Sequence, residues 1–107
     1  MMRLVAFCIS AALLTGCASF AKTASIEEAY EHYGSKNYDE VLVHISRAEN
    51  FSEISSETRI ELTYLKAQTY EQLGEKGMAK TLYTYLNEQH SDSLYGYFAK
   101  EKLAGFE

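Results

Sequence analysis

The sequence predicts an all-α protein built from antiparallel helical hairpins. Three observations carry that expectation. From Ser25 onward apolar residues recur at helical spacing, with no sustained strand alternation. No proline occurs in the 107 residues, so nothing breaks a helix from within. Short polar or glycine-bearing stretches, each next to a cap signal, divide the pattern into five segments. The length fits one small domain and excludes a two-domain enzyme, and 47% hydrophobic with 23% charged residues excludes wholesale disorder. A net charge of −5, with ten basic residues scattered among fifteen acidic ones, argues against nucleic acid as a partner.

Ser25-Ile26-Glu27-Glu28 has the form of a capping box, in which serine accepts from a first-turn amide and the glutamate reaches back. It is expected to open a first helix whose apolar face is Ile26, Ala29, Tyr30 and Tyr33, ended by Gly34-Ser35. Asn37, followed three positions later by Glu40, is the next cap and opens a helix that buries Val41, Ile45 and Ala48. Asn50 to Ser56 is the loop between hairpins, with Phe51 and Ile54 folding back onto the first. A third helix is predicted from about Glu57 to Leu73 with Ile60, Tyr64, Ala67 and Tyr70 inward, stopping at Gly74. The fourth spans about Lys76 to Gln89 with Met78, Ala79, Leu82, Tyr83 and Leu86 inward. The fifth runs from about Asp92 to Leu103 and presents Leu94, Phe98 and Leu103. Connections this short force consecutive helices into antiparallel hairpins.

An offset of 38 residues places Ala29 over Ala67, Val41 over Ala79, Ile45 over Tyr83 and Ala48 over Leu86. Ala67, Tyr70, Gly74, Ala79 and Tyr83 follow the order of a tetratricopeptide repeat: a small residue midway along the first helix, an aromatic, a turn glycine, then small and bulky positions. The preceding unit resembles it less closely, with His32 at the aromatic position and Lys36 where the glycine belongs. The chain thus resembles a tetratricopeptide-like array of two repeats plus a C-terminal capping helix. Two hairpins and a cap lie near the lower limit for such an array, which favours a partner or a second copy.

The resemblance implies that the first helix of each hairpin lines a partner-binding groove, which makes Tyr30, Tyr33, Tyr64, Gln68, Glu71 and Gln72 the groove candidates. Nine tyrosines suit an interface, because the ring buries area at little entropic cost and the hydroxyl stays able to bond. With no tryptophan present, Tyr64, Tyr70 and Tyr83 equally suit the core. Tyr83, Tyr85, Tyr95 and Tyr97 bracket the fourth turn, and their exposed members would form a second, C-terminal aromatic patch.

The N-terminus reads as an address. Met1 to Arg3 is basic, Leu4 to Leu14 is an uncharged run of eleven residues, and Leu14-Thr15-Gly16-Cys17 follows at once. The run is too short to span a bilayer and suits a signal-peptide core. The tetrapeptide resembles the bacterial lipobox, which implies cleavage before Cys17 and lipidation of its thiol. Ala18 and Ser19, with no aspartate, imply the outer membrane. Residues 1–16 are then a signal peptide, 17–24 the lipidated cysteine and tether, and 25–107 the helical domain. The mature chain of 91 residues carries a charge of −6 and no free thiol.

No constellation for catalysis stands out. The acidic pairs have the spacing of solvated helix faces and caps. Leu73-Gly74-Glu75-Lys76-Gly77 lacks phosphate-loop spacing, and the folded part offers no cysteine nucleophile. His32, His44 and His90 fall on separate segments with no HxxxH pattern. His32 and His44 could approach across the first hairpin, and a surface pair is the expectation. No enzyme, cofactor or metal is therefore expected. The reading that remains is a periplasmic lipoprotein that serves as an interaction adaptor in cell-envelope assembly. The alternatives are a regulatory subunit of a peptidoglycan hydrolase or synthase, and a self-associating structural lipoprotein.

Overall fold

A computed structural model describes residues 20–51 and 53–106. The domain is all-α, with helices α1 (20–34), α2 (Tyr38–Glu49), α3 (Ser56–Gln72), α4 (Lys76–Gln89) and α5 (Leu94–Ala104), and no strand among the described residues. They form two antiparallel hairpins and a C-terminal helix. None of the helices among the described residues is long and apolar enough to cross a membrane. Cys17 and the lipobox lie outside the described residues.

The first helix does not start at Ser25. It is already formed at residue 20, and the Ser25 hydroxyl donates to the Ala21 carbonyl at 3.0 Å. A mid-helix serine commonly bonds back to the carbonyl four residues earlier, so the capping-box pattern has no free amide to serve here. Residues 20–24, expected as tether, are helical. The later helices start within two residues of their expected positions. Asn37 is the N-cap residue of α2, without a side-chain bond, whereas Ser55 and Ser93 cap α3 and α5 by accepting from Thr58 N and Gly96 N.

The two hairpins turn in the same way. After α3, Gly74 is left-handed at φ 80°, its amide donates to Glu71 O, and the Glu75 amide donates to Tyr70 O. After α1, Lys36 is left-handed at φ 62°, its amide donates to Tyr33 O, and the Asn37 amide donates to His32 O. Both are Schellman motifs. The following N-cap residues also agree, with φ −87° and ψ 68° at Asn37 and φ −84° and ψ 66° at Glu75. Each turn pair lies 38 positions apart, as do the buried pairs Ala29 and Ala67, Val41 and Ala79, Ile45 and Tyr83, and Ala48 and Leu86. Lys36 therefore carries a left-handed penalty that Gly74 avoids. Lys36→Gly is expected to raise stability by about 1 kcal/mol and Gly74→Ala to lower it by about 1 kcal/mol, both read from chemical denaturation.

Two apolar clusters fill the domain. One joins Ala29, Val41, Ile45, Ala48, Leu62 and Leu65, with Ile26, Tyr33 and Ile54 packed against it. The other joins Ala67, Ala79, Tyr83, Leu86 and Ala99, flanked by Ile60, Tyr64, Tyr70, Leu82, Leu103 and Phe106. Helix α3 belongs to both, because it packs on α2, α4 and α5. That position explains why it buries Leu62, Leu65 and Thr69 beyond the stripe predicted for it. The equivalent of Leu65 in the first hairpin is Glu27, which is exposed.

Four residues predicted on the apolar faces are at the surface instead: Tyr30 is 41% exposed, Met78 49%, Leu94 60% and Phe98 37%. Helix α5 packs through Gly96 and Ala99, a narrow face that brings its backbone against the end of α4. A Cβ on Gly96 would overlap the His90 carbonyl. This close approach leaves Leu94 and Tyr97 outward, while Leu103 still reaches the second cluster.

Candidate functional site

The first helices of the hairpins and the C-terminal helix share one face. The Tyr30 hydroxyl on α1 donates to Glu61 Oε1 on α3 at 2.5 Å. Tyr64 on α3 packs on Tyr95 and Phe98 of α5 with ring centroids 5.4 and 5.9 Å away. Lys102 of α5 reaches Glu71 of α3 at 3.8 Å. The spacing that points Tyr64 toward this face also places Gln68 and Glu71 there, three or four residues apart along α3.

Each groove candidate has a definite place. Tyr30 is half-exposed and bonded to Glu61. Tyr33 packs on the first apolar cluster and meets the ring of Tyr38 edge-on at 5.6 Å. Tyr64 lies at the centre of an aromatic group with Tyr83, Tyr95 and Phe98. Gln68 is half-buried. Glu71 accepts from the fully buried Tyr83 at 2.8 Å. Gln72 is exposed and accepts from the Tyr38 hydroxyl at 3.5 Å, so it tethers α2 to α3. The sequence pattern missed Glu61 and Tyr95. Glu61 is three residues before Tyr64 and shares its side of the helix, which is the signal that could have found it. Nothing in the sequence placed Tyr95 against α3.

The four tyrosines around the fourth turn divide between the core, the α3 face and the surface. Tyr83 is buried, Tyr95 joins the α3 face, and Tyr85 is exposed with its hydroxyl 3.2 Å from His90 Nε2. Tyr97 is exposed beside Phe98.

The phenols of this face resist ionisation. Burial, then the hydrogen bond to Glu61, raises the pKa of Tyr30. Burial, then nearby ionisable groups, raises those of Tyr33, Tyr64 and Tyr95. At neutral pH these groups are neutral hydrogen-bonding phenols beside the acidic side chains Glu61 and Glu71. Such a surface suits binding through aromatic area and directed hydrogen bonds.

Away from this face, the first hairpin brings His32 and His44 together. Their rings stack with centroids 4.9 Å apart and planes within 9°. His44 is buried at 6% exposure rather than at the surface, with Glu28 and Glu40 beside it. The spacing that could have found this group is ExxxH, which occurs once on α1 at Glu28 and His32 and again on α2 at Glu40 and His44. No protein-family profile, curated protein or solved structure matches the chain.

Proposed function

We propose that this chain is a lipoprotein anchored through Cys17 to the periplasmic side of the outer membrane, acting as a tetratricopeptide-type, non-enzymatic adaptor in cell-envelope assembly. Its partner is a protein held on the face formed by α1, α3 and α5. The observation that carries the reading is the repeated hairpin. The same Schellman turn recurs 38 residues on, the Tyr30–Glu61 hydrogen bond joins α1 to α3, and Tyr30 and Tyr64 lie on the side they share. A surface that joins half-buried rings to hydrogen-bonding hydroxyls can contribute much binding energy from few residues. The lipobox-like Leu14-Thr15-Gly16-Cys17 supports the anchoring half of the proposal.

Metabolic labelling with a palmitate analogue is expected to mark the wild type and to miss Cys17→Ser. Labelling of the variant, or none of the wild type, overturns the anchor. For the adaptor half, in-cell cross-linking is expected to trap a stoichiometric partner protein. Tyr30→Ala with Tyr33→Ala is expected to reduce that capture at least about tenfold. Because Tyr33 also packs on the core, the variant's helical circular dichroism and melting curve accompany the measurement. Undiminished capture by a folded variant moves the site elsewhere. Links only between copies of this chain favour a self-associating structural lipoprotein, and links to a peptidoglycan enzyme favour a regulatory subunit.

A further inference from the structure

We propose that the first hairpin carries a binding site for a divalent transition-metal ion of the zinc type, formed by His32, Glu40 and His44, with Glu28 orienting His44. Two imidazoles and a carboxylate are the donor set of an open zinc site, whose fourth position is left for water. One donor atom from each of the three residues lies within 4.8 Å of the others. His44 Nε2 and Glu40 Oε2 are 3.8 Å apart. Two donors that share one ion at ~2.1 Å each lie ~3.4 Å apart in a tetrahedron and at most ~4.2 Å apart. That pair is already within range, and the widest separation closes by a modest side-chain rotation. His32, half-exposed on the last turn of α1, has room for it. Its ring leaves the parallel stack on His44 to converge on the ion.

The state of His44 supplies an independent indication. The residue is 6% exposed, yet its Nδ1 has no hydrogen bond. Glu28 Oε2 is 2.9 Å from that nitrogen but off the line of a ring N–H, so the contact is close without being a directed hydrogen bond. An imidazole buried in this way is costly. An ion on Nε2 would fix the proton on Nδ1, and a small turn of the ring would aim that proton at Glu28. This is the carboxylate–histidine–metal relation that orients metal-bound imidazoles. The charges also match, since two carboxylates and two neutral imidazoles leave −2 for a divalent cation to neutralise.

The fold itself does not call for these residues. In the second hairpin the equivalent positions, 38 residues on, are Lys66, Tyr70, Met78 and Leu82, and Tyr70 and Leu82 pack on the core cluster there. The same architecture is thus built with apolar side chains where the first hairpin has His32 and His44. Glu28 and His32 sit four residues apart on α1, Glu40 and His44 four apart on α2, and the reversal at Lys36 sets each glutamate opposite the other helix's histidine. Bound metal would cross-link α1 to α2 beside a turn that carries a strained lysine.

The test uses the full chain with Cys8 and Cys17 changed to serine, which removes competing thiolates. Zn2+ is titrated against a chromophoric chelator, and Tm is recorded with and without the ion. One Zn2+ per chain is expected, with a rise in Tm. His32→Gln and Glu40→Gln are each expected to weaken binding at least about tenfold while leaving the metal-free melt nearly unchanged, and Glu28→Gln to weaken it by about tenfold. His90→Gln should bind as the parent does, and Mg2+ should leave Tm unmoved. Affinity should fall on acidification, because the ligating groups bind the ion only when deprotonated. No saturable binding up to about 1 mM Zn2+, or binding that survives His32→Gln and Glu40→Gln at full strength, overturns the proposal.

Discussion

Gly96→Ala is expected to lower the stability of the domain by about 3 kcal/mol or more, the largest loss among Gly→Ala changes at the described residues. The added Cβ would overlap the backbone carbonyl of His90 and press on that of Leu86, 3.0 Å away. Neither group can rotate aside as a flexible side chain would. His90 O is also held in place, accepting from the Ser93 amide at 3.0 Å and the Ser93 hydroxyl at 2.6 Å. Relief therefore requires α5 to lift off α4, which uncovers Ala99 and the cluster around Tyr83. For a domain of this size the loss corresponds to a fall in Tm of about 15 °C. Gly77→Ala is the control. It lies in α4 with nothing within 4 Å of its would-be Cβ and should be neutral or stabilising by up to about 1 kcal/mol. Denaturant melts of the two variants should move in opposite directions, and a Gly96→Ala protein as stable as the wild type would mean that the α4–α5 approach is looser than described.

Tyr83→Ala is expected to cost about 4 kcal/mol, the range for removing a buried aromatic ring. Tyr83 is fully buried and packs on Tyr64 and Phe106, so its loss opens a cavity bordered by three elements. Tyr83→Phe separates the ring from the hydroxyl. It should cost about 1 kcal/mol, because only the bond to Glu71 is lost and Glu71 keeps Lys102 nearby. The same pair predicts a pH dependence. Burial, followed by the hydrogen bond to Glu71, raises the Tyr83 pKa well above its ordinary value. The folded chain therefore holds this proton at a pH where the unfolded chain releases it. The contribution is fully present below about pH 10 and is lost as pH rises above that value. Stability curves should show Tyr83→Phe losing less than the wild type between about pH 10 and about pH 12. Equal alkaline slopes would show that the hydroxyl does not couple folding to its proton.

Much of the architecture was legible because it follows from local rules. The start of α2 after Asn37, the bounds of α4 and the glycine stop after α3 depend on residues within a turn of one another. The repeat offset was visible too, since small residues recur wherever two helices must approach. Legibility failed where a residue's fate depended on a distant neighbour. Leu62 and Leu65 needed the knowledge that α3 is covered on two sides, and Leu94 and Phe98 needed the knowledge that α5 docks through Gly96. Of the partner-face candidates, Tyr30, Tyr33, Tyr64 and Glu71 could be named from helical spacing and the repeat resemblance. Tyr95 could not, because only the docking of α5 brings its ring to Tyr64.

The sequence by itself determined the helical class, the five segments and the 38-residue hairpin repeat, because these follow from propensity, capping and periodicity within a few residues. Only the tertiary structure decided which side of each helix is covered, which tyrosines are core and which are surface, and that His32 meets His44. Those outcomes depend on how residues far apart in the chain pack, and a side chain of fixed polarity is buried or exposed according to what the neighbouring helix puts against it.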